Sequence, residues 1–305
     1  MSTPGWGPSD AGPGGAGLGA GATPVAMTCY RHPERATGLR CTRCGRPTCP
    51  ECLREAAVGF HCVTCLAQGQ RDVRSASTVA GARLIPGAPL LTYGLIGLNV
   101  LMYLLTAVLA GSATDNAAST FFQSYGLFPY GVADGQLLRL VVSGFLQYGP
   151  LHLLLNMYAL YILGREMETV LGRVRFAALY ALALLSGSAA VMAFQSPTSL
   201  TVGASGAVFG LMGGFAVVLF RLRRSPGPIL TIIALNVALS VLVPGISLWG
   251  HLGGLAAGAL ATAVLVYAPP RRRVPVQVGG LLTLTLLAVA VTALRVAALR
   301  PALGL

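Results

Sequence analysis

Four polar side chains stand in the apolar part of the chain in an arrangement that supports acyl-transfer chemistry. Ser205 lies in Gly203-Ala204-Ser205-Gly206, and His251 in Gly250-His251-Leu252-Gly253-Gly254. His152 and Asn156 are four residues apart, one turn on a single helix face. Ionisable and amide groups are costly in lipid and mark function there. A serine hydroxyl becomes a nucleophile when an imidazole takes its proton, so Ser205 and His251 form a candidate dyad. His152 and Asn156 are candidate donors to an oxyanion, the term that usually dominates such catalysis. Taken singly each feature is bland: a Gly-Ser stretch in a membrane helix packs helices more often than it reacts. Their weight comes from their combination.

A second constellation lies near the amino terminus. All seven cysteines fall between Cys29 and Cys65, in the units Cys29-x-x-His32, Cys41-x-x-Cys44, Cys49-x-x-Cys52 and Cys62-x-x-Cys65. An x-x spacing lets two ligands reach one tetrahedral Zn²⁺, and eight donors complete two closed sites. An odd cysteine count with a histidine in the eighth place reads as metal ligation rather than disulfides. Closed sites keep no open position, so two structural zinc ions are expected and no cofactor for catalysis. His61, beside Cys62, reads as a bystander.

The elements that must position these groups are membrane helices. Of 305 residues, 54% are hydrophobic and 10% charged, against about 25% charged in soluble proteins. Seven apolar stretches run over 88–110, 148–164, 175–194, 201–220, 228–243, 247–267 and 276–298, most reaching the ~17–25 residues of a spanning helix. Ahead of them come a Gly/Pro/Ala-rich tail at 1–26, expected to be disordered, the Cys/His module at 27–66 and a polar linker at 67–87. No basic segment followed by an apolar one opens the chain, so no signal peptide is expected. Every basic residue is arginine, for a net charge of +12. With the amino terminus in the cytoplasm, inside loops carry Arg165, Arg173, Arg175, Arg221, Arg223, Arg224, Arg271, Arg272 and Arg273. Outside segments carry only Arg139, Arg295 and Arg300. That bias obeys the positive-inside rule, and the cytoplasm keeps cysteines reduced. The expected location is the plasma membrane, multi-pass.

In this orientation the second, fourth and sixth stretches run inward. His152, Ser205 and His251 each fall about four residues below the outer end, roughly 6 Å down at 1.5 Å per residue. Gly206, Gly210 and Gly214 face Gly250, Gly254 and Gly258 at small-residue spacing, which lets helix backbones approach closely. The acids within and after the second stretch, Glu166 and Glu168, lie at its inner end. The site is therefore read as a dyad without a carboxylate. Asn236 is expected to bond across helices, and Gly187 and Gly213 to serve packing.

The GASG motif, His251 in GHLGGLAAG and His152-x-x-x-Asn156 in HLLLNM together resemble the rhomboid family of intramembrane serine proteases, over residues 88–267. The resemblance implies an all-α bundle of six helices, with a seventh at 268–305 as in some members. It implies Ser205 as nucleophile and His251 as base. His152, Asn156 and the Ser205 backbone N–H would form the oxyanion hole, and Phe209 would pack on the base. Transmembrane proteins would be the substrates, cut near the outer leaflet. Two positions depart from the family pattern: Leu138-Arg139 stands for Trp-Arg, and Phe145-Leu146-Gln147 for Phe-x-His. The competing reading is a non-catalytic relative that binds membrane segments. A transporter would show intramembrane acids or broken helices at mid-depth, which this chain lacks. The run CYRHPERATGLRCTRCGRPTCPEC is similar to B-box-type zinc fingers. That similarity implies interleaved pairing, Cys29, His32, Cys49 and Cys52 on one ion and Cys41, Cys44, Cys62 and Cys65 on the other. Spacing alone leaves sequential pairing open. A cytoplasmic protein partner is the expected role of the module. Arg31, Arg35, Arg40, Arg43 and Arg46 make too modest a basic patch to point to nucleic acid.

Overall fold

The computed structural model describes residues 27–72, 77–82 and 87–304. The tail at 1–26, and linker positions 73–76 and 83–86, lie outside the described residues. The chain divides into two compact units, Met1–Arg74 and Ser75–Leu305.

In the first unit, β1 (Thr28–Cys29) pairs antiparallel with β2 (His32–Ala36), and β3 (Leu53–Glu55) with β4 (Phe60–Cys62). A 3₁₀ turn at Pro50–Cys52 precedes β3, and α1 (Val63–Asp72) follows β4. This helix carries Cys65 and continues across positions read from the sequence as linker. The buried residues described in this unit are Thr48 and six of the seven cysteines. So small an apolar interior cannot by itself offset the entropy of ordering the chain.

The second unit is a helical bundle. α2 (Leu90–Ala110) is followed by a loop holding α3 (Thr120–Tyr125), α4 (Pro129–Ala133) and α5 (Arg139–Val142). Then come α6 (Gly149–Leu171), α7 (Arg173–Phe194), α8 (Ser205–Arg221), α9 (Gly227–Leu242), α10 (Leu248–Tyr267) and α11 (Arg273–Leu299). By length and composition α2, α7, α10 and the segment Pro270–Leu303 can each cross a membrane, while α8 and α9 are shorter apolar helices. α6, of 23 residues, carries Arg165, Glu166 and Glu168 toward its end. The all-α polytopic bundle with a seventh helix is the architecture found.

One expectation about depth is corrected. The stretch 201–220 is not helical throughout, because α8 begins at Ser205. Thr201 exchanges backbone hydrogen bonds with Leu127 (3.0 and 2.7 Å), and Gly203 N–H donates to the Ser143 carbonyl at 2.9 Å. Those bonds hold the chain extended. Gly203 takes φ +127°, a conformation that L side chains rarely adopt. Ser205 is thus the first residue of its helix rather than one turn along it.

α8, α10 and α7 form the centre. A Cβ on Gly254 would run into the Gly206 carbonyl, and one on Gly258 into the Gly210 carbonyl. At Gly187 it would lie 2.9 Å from the Gly250 carbonyl, and at Gly213 2.6 Å from that of Leu255. These are backbone obstacles that no rotamer change relieves. Phe176, Leu179, Leu211 and Leu265 fill the layer beneath.

Polar ties fix the outer helices. Glu168 of α6, buried, accepts from Leu91 N–H (3.2 Å), Thr92 N–H (2.8 Å) and Thr92 Oγ1–H (2.8 Å) at the start of α2. The α2 N-cap, Pro89, offers no side-chain acceptor, so a carboxylate from another helix satisfies the orphan amides. α11 is held at both ends: Gln277 donates to the Ala80 and Leu265 carbonyls (3.0 and 2.7 Å) and accepts from Arg175 (2.9 Å), while Arg295 donates to the Met192 carbonyl (3.1 Å). Between α2 and α6 the loop is pinned by Arg139, whose guanidinium donates to the Gln123 and Gly126 carbonyls and to Gln136 Oε1 and lies 4.5 Å from the Phe128 ring centroid. Leu138, where the resemblance implies tryptophan, is exposed. Asn236, expected to bond across helices, instead donates to the Ile232 carbonyl of its own turn.

Overpacking a core costs about 1–3 kcal/mol. Gly258→Ala is expected to destabilise the bundle by at least that much. Gly279→Ala on α11, with nothing within 4 Å of the added carbon, is expected to be neutral or stabilising. Thermal or SDS unfolding in mixed micelles measures both, and equal stability of the two variants would contradict the backbone contact.

Candidate active site and metal-binding clusters

Ser205 and His251 meet where α8 and α10 cross. Ser205 opens α8, and His251 is in the first turn of α10, which Ser247 starts by accepting from Gly250 N–H. His251 Nε2 lies 2.8 Å from Ser205 Oγ. Phe209, one turn along α8, stacks on the imidazole with centroids 4.0 Å apart and 11° between planes. The glycine contacts bring the two backbones together, and the stacked ring sets the plane of the imidazole. No ion pair among the described residues involves His251. Glu168 stands sixteen positions along α6 from His152, about 24 Å at 1.5 Å per residue.

His152 Nδ1 accepts from the Tyr148 backbone N–H at 3.0 Å. In the neutral ring the proton is then on Nε2. A Cβ on Gly203 would lie 2.8 Å from His152 Cε1, 3.1 Å from its Nε2 and 3.5 Å from Ser205 Oγ. The imidazole N–H therefore borders the space beside the hydroxyl, and the absence of a side chain at 203 keeps that space open. A cavity of about 40 Å³ bounded by Ser143, Ser188, Gly203, Ser205 and His251 adjoins it, roomy enough for water. Asn156 sits deeper, buried, and its Nδ2 donates to Gln147 Oε1 (3.0 Å) and to the His152 carbonyl (3.1 Å). The structure thus brings Ser205, His251 and His152 around one space and places Asn156 in the network behind it.

Two further residues belong to this region, one passed over in the sequence and one noted there only as a departure. Ser240 of α9, buried, has its Oγ 2.7 Å from His251 Nδ1; a lone serine in an apolar helix, eleven residues before a histidine, was its only signal. Gln147, which departs from the family's histidine, is fully buried and donates to Asn99 Oδ1 at 2.9 Å, linking α2 to Asn156.

The cysteine units gather into two clusters, Cys29, His32, Cys49 and Cys52, and Cys41, Cys44, Cys62 and Cys65, with donor atoms in each within 4.8 Å of one another. His32 Nδ1 lies 3.8, 3.4 and 3.5 Å from the sulfurs of Cys29, Cys49 and Cys52, and the Cys44 and Cys62 sulfurs are 3.8 Å apart. Tetrahedral zinc, with Zn–S ≈ 2.3 Å and Zn–N ≈ 2.0–2.1 Å, sets S···S near 3.8 Å and N···S near 3.5 Å. The donors fit that ion. Burial pushes the Cys29 and Cys41 thiols up, but backbone N–H groups, Cys49 first for one and Cys62 first for the other, bring both down to about 6. Burial and crowding by Cys49 push Cys52 up to about 11, and the Cys44 contact with burial pushes Cys65 up to about 12. Cys62 is lowered as well, again by backbone and side-chain hydrogen bonds that outweigh burial. Each cluster thus sets a thiol that ionises readily beside one that resists, the electrostatics a cation relieves. His61 lies in β4, outside both clusters. Both clusters could hold a metal ion.

Fold and site together define an integral, multi-pass helical membrane protein that keeps a serine–imidazole pair inside its bundle. Residues 134–268 match the rhomboid domain. Rhomboid protease GluP of Bacillus subtilis (strain 168) is 33% identical over 184 residues, 59% of this chain and 35% of GluP. Putative rhomboid protease YdcA of the same organism is 33% identical over 147 residues, 47% of this chain and 74% of YdcA. RHOMBOID-like protein 4 of Arabidopsis thaliana is 37% identical over 138 residues, 43% of this chain and 34% of that protein. The chain belongs to the rhomboid family. Its match spans about a third of the length of GluP and of RHOMBOID-like protein 4.

Gly203→Ala adds backbone strain, of order 1–3 kcal/mol, and a methyl group against His152. It is expected to leave helix content intact and to slow modification of Ser205 by a fluorophosphonate at least about tenfold. Wild-type modification would mean that the space beside the hydroxyl is not the reactive one.

Proposed function

We propose that this chain is an intramembrane serine endopeptidase that cuts transmembrane segments of other proteins near the outer leaflet. The observation that carries the reading is the 2.8 Å contact of His251 Nε2 with Ser205 Oγ under the stacked Phe209 ring. Ser205 attacks the scissile carbonyl while His251 takes its proton, and His251 later passes that proton to the leaving amine. His152 Nε2–H and the backbone N–H of Ser205, at the free start of α8, receive the oxyanion. Asn156 joins them by exchanging its bond to Gln147, or otherwise orients His152 through its carbonyl. Water then completes hydrolysis of the acyl-enzyme. The likeness to rhomboid protease GluP and putative rhomboid protease YdcA supports this activity.

The arginine bias supports a cytoplasmic amino terminus in the plasma membrane, with Ser205 toward the outer face. The two clusters are proposed to hold structural Zn²⁺ in a B-box-type finger that engages a cytoplasmic protein partner. The ligands are Cys29, His32, Cys49 and Cys52 for one ion and Cys41, Cys44, Cys62 and Cys65 for the other. Bound zinc supplies folding energy to a unit with little apolar core.

A fluorophosphonate probe is expected to label the purified protein, and labelling is expected to vanish in Ser205→Ala and His251→Ala. Cleavage of a model single-span substrate should be lost in parallel. Removing one oxyanion donor typically costs ~10²–10³ in kcat, so His152→Ala should retain a residue of turnover that Ser205→Ala lacks. Labelling that survives Ser205→Ala would refute the dyad.

Zinc analysis separates the pairing schemes. Two ions per chain are expected, with one remaining in the double variant Cys29→Ser/Cys49→Ser. Sequential pairing would lose both. Chelation is expected to remove the ions and leave cleavage of the detergent-solubilised model substrate unchanged; a rate that falls with zinc content would couple the module to the dyad.

A further inference from the structure

We infer that Ser240 is a positioning residue for the base, setting the tautomer and the orientation of His251 in place of a carboxylate. The inference rests on the proteolytic reading for its consequence in rate, but not for its geometry.

Ser240 and Ile229 are the two residues that α9 buries among those described, and every other polar group of that helix turns to its own backbone. A hydroxyl taken out of water without a partner is costly, so a serine at this point in an apolar helix needs an explanation. Its bonds supply one. Ser240 Oγ–H donates to the Asn236 carbonyl at 2.7 Å, one turn back. With that hydrogen engaged, the oxygen can only accept from His251 Nδ1, 2.7 Å away. The proton of the neutral imidazole is therefore on Nδ1, and Nε2 carries the lone pair. Nε2 is the nitrogen 2.8 Å from Ser205 Oγ, so the lone pair faces the hydroxyl whose proton it must take.

The chain of bonds runs Ser205 Oγ–H to His251, His251 Nδ1–H to Ser240, and Ser240 Oγ–H to the Asn236 carbonyl. Each member has a donor turned forward. Asn236 takes part through its backbone, while its side chain closes on Ile232. In triads a carboxylate performs the holding function and also stabilises the imidazolium. A charge at this depth would be expensive. A hydroxyl whose own proton is committed orients the ring without one, and gives up the charge stabilisation. Phe209 fixes the plane of the ring from one face; Ser240 fixes which edge points at Ser205.

The test uses the full-length protein in detergent with Ser240→Ala, Ser240→Thr and Ser240→Val. Losing one neutral hydrogen bond, typically about 1 kcal/mol, corresponds to a slowing of about tenfold or somewhat less. Ala and Val are expected to slow fluorophosphonate labelling by about that factor, and to lower kcat on the model substrate with KM unchanged. Thr, which keeps the hydroxyl, is expected to restore both. Val with the rate of Thr, or Thr as slow as Val, would overturn the assignment. A second readout does not depend on turnover. The ¹⁵N resonances of His251 are expected to report the Nδ1–H tautomer in the wild type and a shift toward Nε2–H in Ser240→Ala. An unchanged tautomer would overturn the inference even if the protein cleaves. A wild-type protein that shows the tautomer but never labels at Ser205 would sink the protease reading and leave the positioning role standing.

Discussion

The α8–α10 contact is made by backbone against backbone, and the site depends on it. Gly254 and Gly258 meet the carbonyls of Gly206 and Gly210 with no space for a methyl group. Lipid supplies no hydrophobic force between helices, so association rests on such close packing. Ser205 and His251 stand at the outer end of this seam, next to Gly206 and Gly250, on the two helices it locks. The 2.8 Å separation of Oγ and Nε2 follows from the seam more than from either side chain. The glycine register is in effect the ruler of the site.

Around that seam, polar atoms are placed where lipid cannot satisfy them and another helix can. Glu168 reaches the bare start of α2, Gln147 joins Asn99 of α2 to Asn156 of α6, and Gln277 stitches α11 to the bundle. In each case one side chain closes backbone or side-chain hydrogen-bonding groups of another element. These ties hold α2, α6 and α11 in place, and α6 in turn brings His152 to the space beside Ser205. The first unit meets the same shortage of apolar burial by a different means, with cysteines as its interior.

The helical membrane architecture was legible in the sequence because apolar length is a one-dimensional signal. The glycine spacing pointed to close helix contact for the same reason, since residues four apart share a face. Depth was not legible. Ser205 stands at the start of α8 because Thr201 pairs with Leu127 and Gly203 bonds to Ser143, contacts from a loop 74 and 60 residues earlier. Partner choice was not legible either. Asn236 drew attention as the larger polar side chain, yet it closes on Ile232 while Ser240 meets His251. Glu168 was recognised as too distant for the site, but nothing local marked it as the cap of α2. The cysteine spacing gave the pairs of donors, whereas their grouping, first with third and second with fourth, depends on the turns of the two hairpins.

α9 differs from its neighbours in being held mostly by side chains at its margins, with Ile229 and Ser240 alone buried. Its one side-chain hydrogen bond to another helix, among the described residues, goes to the imidazole of His251. Any outward swing of α9 would therefore disconnect the base from its support as it widened the bundle. The helix has the mechanics of a dimmer: with the perimeter open at α9 the base would lose its orienting bond and keep its contact with Ser205, which α8 and α10 make without it.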